Sequence, residues 1–182
     1  MALATGIALL SVVSCSTPKS EKGVTRMEAL DHSAWDASAW ISAANAPVMT
    51  DTVRGAHERA ADGASWFVST LKNEKRVKAA HWMTTGLGVY TLYVNGQPIG
   101  EEILKPGFTH YEKTKRSFTY DITDAWSTTA DAENTLAVQV TPGWWADKII
   151  TPGGHVGMIG NKVAFRGVVE LTFEDGSQHY YG

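Results

Sequence analysis

The chain is predicted to fold as an antiparallel β-sandwich. Three observations lead there: short runs of alternating apolar and polar residues, turn dipeptides between them, and no stretch of convincing helical periodicity. With 182 residues, a net charge of -3 and 43% hydrophobic content, it suits one domain with a buried core and a short appendage. No segment repeats at a fixed period, which argues against solenoids and propellers.

The ordered region is expected to open at Ser33–Ile41, "SAWDASAWI", with Trp35 and Trp40 as anchors. Ser42–Ala64 is rich in Ala, Gly, Asn, Asp and Pro and reads as loop, with one helical turn near His57–Ala60. Trp66–Leu71 is the first strand candidate. In Val77–Thr85, strict alternation puts Val77, Ala79, His81 and Met83 on one face and Lys78, Ala80, Trp82 and Thr84 on the other. Gly88–Val94 leads into Asn95-Gly96, a strong signal for a two-residue hairpin because both turn positions require positive φ. Gln97–Leu104 is the return strand, interrupted at Pro98 and Gly100.

Lys105-Pro106-Gly107 makes a corner. Ser117–Thr123 alternates Phe118, Tyr120 and Ile122 against polar residues, and Asp124–Glu133 is a polar connection with a turn near Trp126. Leu136, Val138 and Val140 alternate again. Lys162–Glu174 reads as a long strand with Phe165, Gly167, Val169, Leu171 and Phe173 inward. Asp175-Gly176 then turns into a last strand, Ser177–Tyr181.

Composition narrows the function classes. Weak acidity and the lack of a Lys/Arg block give no nucleic-acid surface. There is no zinc-type Cys/His spacing, Gly-rich phosphate loop or nucleophile elbow. One cysteine excludes an intrachain disulfide framework. That residue, Cys15, follows the apolar run Ala2–Val13, too short to span a bilayer, and Val12-Val13-Ser14-Cys15 resembles a bacterial lipobox. Residues 1–23 are therefore expected to be an export signal, with Cys15 lipidated, and a tether; residues 24–34 form a linker and 35–182 the folded module. Export to the periplasm or outer membrane follows, with membrane contact only through the lipid. "MALATG" lacks the usual basic start, so either the gene begins upstream or this is no lipoprotein signal.

Carboxylates at Glu101-Glu102, Asp121, Asp124, Asp147 and Glu174-Asp175 form no convincing catalytic pair and suit turns, caps and edges. His81, His110 and His155 share no metal-ligand spacing. Aromatics stand out, with seven tryptophans. An extended "VTPGWWADK" would bury one indole of Trp144-Trp145 and expose the other, making Trp144, Trp145 and Asp147 the candidate carbohydrate-binding residues. Trp66 and the inward member of that pair are expected to be structural. The loop Thr151–Asn161 is expected at the rim.

Several motifs then occur in order: "SAWDASAWI"; the Gly-x-Tyr strand, Asn-Gly hairpin, Pro-Gly-x-Thr-x-Tyr corner and Tyr-Asp-Ile-Thr strand within "GLGVYTLYVNGQPIGEEILKPGFTHYEKTKRSFTYDIT"; "ENTLAVQVTPGWWADK"; and "KVAFRGVVELTFEDGS". Together they resemble the N-terminal domain of bacterial α-L-rhamnosidases of glycoside hydrolase family 78. The resemblance implies a jelly-roll-like sandwich akin to galactose-binding domains. It places catalysis in a later α/α-barrel, whose glutamates hydrolyse terminal L-rhamnose with inversion. That barrel is missing from this chain, which is expected to be a non-catalytic accessory piece of the enzyme. The resemblance also implies rhamnose-containing carbohydrate as ligand. Related modules bind rhamnose through calcium, but no calcium ligand is assigned here. A stand-alone carbohydrate-binding lipoprotein and a structural spacer are the alternatives.

Overall fold

The computed structural model describes residues 32–44, 64–147 and 159–182. Cys15, the export segment and the expected helical turn at His57–Ala60 lie outside them. Eight strands follow in chain order: β1 (Ser65–Lys72), β2 (Val77–Leu87), β3 (Val89–Val94), β4 (Gln97–Ile99), β5 (Ser117–Asp121), β6 (Glu133–Thr141), β7 (Ala164–Phe173) and β8 (Gln178–Tyr181). They form two four-stranded sheets, β1-β6-β3-β4 and β5-β2-β7-β8, with every pair antiparallel. The protein is the antiparallel β-sandwich that the alternation predicts.

Both hairpin signals are realised. Asn95 and Gly96 take φ of 50° and 80° between β3 and β4, and Gly176 takes 81° between β7 and β8. The strand after Asn95-Gly96 is much shorter than expected: it ends at Ile99, because Gly100 turns the chain away at φ 74°.

The inner faces meet in one core that includes Trp82, Tyr90, Leu92, Tyr120, Leu136, Val138, Phe165, Val169 and Leu171. Phe118 packs partly buried against it, and Ile122, just past the end of β5, is buried within it. Strict alternation fails at one place in β2. The ladder to β7 slips between Val77 and Ala79, so Lys78 is a bulge and Val77 joins Ala80 and Trp82 in the core. Met83 faces outward beside Val168 of β7, and Ala34 covers it.

That cover is a 3-10 helix over His32–Ala37. The Arg166 guanidinium lies 5.1 Å from the Trp35 ring centroid and donates to the carbonyls of Trp35 and Ser38. Trp35 is thus an anchor, whereas Trp40 is exposed. Trp66 also departs from expectation. Phe67 and Leu71 are the β1 residues that pack on the core, so Trp66 stands on the opposite, outer face and is 53% exposed.

The connection from β5 to β6 is braced by a buried polar network. Asn73 Nδ2 donates to the carbonyls of Ser127 and Thr129, both at 2.7 Å, and Trp126 Nε1 donates to Asn73 Oδ1 at 2.9 Å. Asn134 Oδ1 accepts from the Ser127 backbone at 2.7 Å and from Asn95 Nδ2 at 2.8 Å. Asn73→Ala would strand the buried Trp126 donor and remove one of the two hydrogen bonds at each of the Ser127 and Thr129 carbonyls, which keep Asn134 Nδ2 and the Ala132 amide. A loss of about 2–3 kcal/mol is expected in denaturant unfolding.

Burial raises the phenol pKa of Tyr90 and Tyr120 well above the ordinary value of 10.0. The folded state then keeps protons that the unfolded chain releases. Stability is predicted to be insensitive to phenol ionisation below about pH 9 and to fall as pH rises past about 10. Thermal melts with phenolate absorbance followed in parallel check this.

Candidate functional site

The site is built where two loops meet at an end of the sandwich. After β6, Pro142 and Gly143 turn the chain into a single helical turn, α1 (Gly143–Ala146). Gly143 has φ 48° and its Cα lies against Val89, leaving no room for a Cβ. Trp144 and Trp145 are therefore successive helical residues, about 100° apart around the axis rather than on opposite faces of a strand. The extended geometry expected from the sequence is replaced, but its division of labour holds.

Trp145 is the anchor. Its Nε1 donates to the Lys162 carbonyl at 2.8 Å, its carbonyl accepts from the Gly160 amide at 2.9 Å, and Gly160 lies directly against its indole. The Tyr111 ring meets it edge-on, with centroids 5.2 Å apart, and exposed Phe108 extends this row from Tyr111 at 6.0 Å. Tyr111 is only 4% exposed, and burial raises its phenol pKa. Trp144 is the outward indole, 36% exposed, and Asp147 is exposed beside it.

The corner carrying Phe108 and Tyr111 is held from within. The Lys105–Pro106 bond is cis, and the Gly107 amide donates to the Leu104 carbonyl at 2.9 Å. Lys105 is buried, with Nζ donating to the Ile99 carbonyl at 2.7 Å and lying 5.0 Å from the Tyr120 centroid. Burial lowers its pKa. Glu102 accepts from the Tyr120 hydroxyl at 3.3 Å. These contacts tie the loop to the core.

Other candidates have structural duties. Asp121 accepts from the Thr123 amide at 3.0 Å. Asp175 accepts from Lys75 Nζ at 2.6 Å and from Ser177, which together hold its carboxyl far below the usual range. His81 faces Glu170 across β2 and β7, Nδ1 to Oε1 3.3 Å, on the outer face of the second sheet. Among the described residues no group of three or more His, Cys, Asp or Glu side chains is placed to hold a metal ion. The carboxylate-rich cage that calcium favours is not offered by these residues. Residues 148–158, including His155, lie outside the described part.

The row Phe108–Tyr111–Trp145 was missed in the sequence, although the corner motif holds its first two members. Their approach to Trp145 depends on a contact between loops far apart in the chain.

The α-L-rhamnosidase N-terminal domain family matches residues 75–181. An α-L-rhamnosidase of Streptomyces avermitilis is 35% identical over 103 residues, covering 57% of this chain and 10% of that protein. The crystal structure of the Aspergillus terreus α-L-rhamnosidase superposes with a TM-score of 0.71 at 24% identity, over 83% of this chain and 16% of that one, a likeness of fold. The Streptomyces avermitilis α-L-rhamnosidase solved with L-rhamnose gives a TM-score of 0.59 at 29% identity, over 68% and 12%. The chain belongs to the α-L-rhamnosidase N-terminal domain family. It spans only 10% to 16% of the length of these relatives.

The two indoles should separate energetically. Trp145→Ala is expected to cost about 3 kcal/mol through lost packing and a stranded carbonyl, whereas Trp144→Ala should stay within about 0.5 kcal/mol. Chemical denaturation of both variants tests the assignment.

Proposed function

We propose that this chain is a non-catalytic accessory module of a larger α-L-rhamnosidase, an enzyme that removes terminal α-L-rhamnose by inversion, and that its aromatic loop cluster helps recognise the rhamnose-containing substrate. The observation that carries the reading is an exposed indole, Trp144, beside a Trp145 locked by Lys162, Gly160 and Tyr111. The Trp145 anchor fixes the backbone of this turn, so the exposed Trp144 ring is presented to a sugar from a defined position. Family membership supports the substrate class, as does the rhamnose found with the Streptomyces avermitilis relative. In this reading the catalytic α/α-barrel lies elsewhere in the parent protein, and the module is exported and tethered through Cys15.

Calorimetric titration of the full chain with L-rhamnose, with and without calcium, tests the binding role. Trp144→Ala is expected to weaken binding by about tenfold while the thermal transition is retained. Equal binding by the parent chain and Trp144→Ala would remove the loop cluster from the role. Calcium dependence would show a ligand set other than a carboxylate cluster among the described residues. This chain alone is expected to leave a chromogenic rhamnoside intact.

A further inference from the structure

We propose that the outer face of the first sheet carries a second glycan-binding platform, separate from the loop cluster, built on Trp66 and Tyr93 and suited to an uncharged sugar chain. The rings come from strands β1 and β3, which flank β6. Register sets two adjacent rows across the sheet: Trp66–Gln139–Thr91, then Val68–Ala137–Tyr93–Pro98. Ala137, between Val68 and Tyr93 in its row, has only a small side chain, and Trp66 and Tyr93 meet with centroids 5.7 Å apart and planes inclined by 34°. Trp66 is 53% exposed and Val68 66%.

The chemistry of the rows selects the ligand. Neither row contains a charged side chain. The charges on this face are at its far end, in the Lys72–Glu133 row, where Lys72 pairs with Asp131 at 2.9 Å. Around the rings stand the Gln139 amide and the Thr91 and Tyr93 hydroxyls, which make no side-chain hydrogen bond among the described residues. Aromatic faces bordered by unpaired neutral donors and acceptors match a pyranose, with its apolar C–H face and its ring of hydroxyls. A polyanion finds no cation in these rows. A protein partner would have to bury the same amide and hydroxyls at a cost unless it paired them. Three strands span roughly 10 Å, room for more than one sugar ring.

Native affinity electrophoresis of the full chain in gels containing a soluble neutral rhamnan tests the platform, with polygalacturonate as the anionic control. The chain should be retarded by the rhamnan and not by polygalacturonate. Trp144→Ala, which disables the loop cluster, should keep part of that retardation. Adding Trp66→Ala to it should remove the remainder, with roughly tenfold weaker apparent affinity from the second substitution. Ala137→Lys, which puts a long charged side chain between Val68 and Tyr93, should do the same and covers the case in which loss of Trp66 disturbs folding. Complete loss of retardation in Trp144→Ala alone would overturn the platform and leave the loop reading intact. Retardation unaffected by Trp66→Ala and Ala137→Lys would also overturn it, as would equal retardation by polygalacturonate. A change in sedimentation without a change in retardation would instead make this face a contact between copies.

Discussion

Phe165 is the residue through which the two sheets hold each other. Its ring meets Trp82, from its own sheet, at 6.3 Å and Tyr90, from the other, at 5.5 Å, both close to edge-on. Edge-to-face packing places the positive rim of one ring on the negative face of another and fixes orientation as well as distance. Thr84 and Tyr90 add a hydroxyl contact of 3.1 Å across the same gap. The Phe165 backbone also exchanges hydrogen bonds of 2.8 and 2.9 Å with Ile41, so the N-terminal cover is fastened at the same point.

The space for this arrangement is made by missing side chains. A Cβ on Gly167 would come within 2.8 Å of Trp82 Nε1, and one on Gly86 within 2.8 Å of Tyr90 Cδ1. Large rings and absent side chains are thus complementary across the inner faces, as close packing requires. The asparagine network braces the β5–β6 connection by a different means, with directional hydrogen bonds where the chain is too irregular for a ladder.

Much of this was readable beforehand. Asn95-Gly96 and Asp175-Gly176 named their hairpins because few other residues accept positive φ. Alternation in β6 and β7 named Leu136, Val138, Val169, Leu171 and Phe173 as inward residues, and they are. The bulge at Lys78 reverses the face of Val77, and a bulge leaves no mark in composition. Trp66 reads as a structural tryptophan because sandwich cores commonly hold one, yet its position one residue before the inward Phe67 puts it on the outer face. "PGWWADK" was weighed as extended chain, whereas one helical turn satisfies its backbone through Ala146 to Pro142 and Asp147 to Gly143.

The class of fold, the hairpins and the family resemblance are legible in the sequence alone. These follow from local rules: side-chain period, turn conformations and motifs held within one segment. Which indole is anchored, which aromatics gather around it, and that Trp66 and Tyr93 share an open face emerge only once the chain is folded. Such assignments depend on strand register and on contacts between residues distant in the chain. Neither is encoded in any single window of residues, because each arises when separate segments compete for the same space.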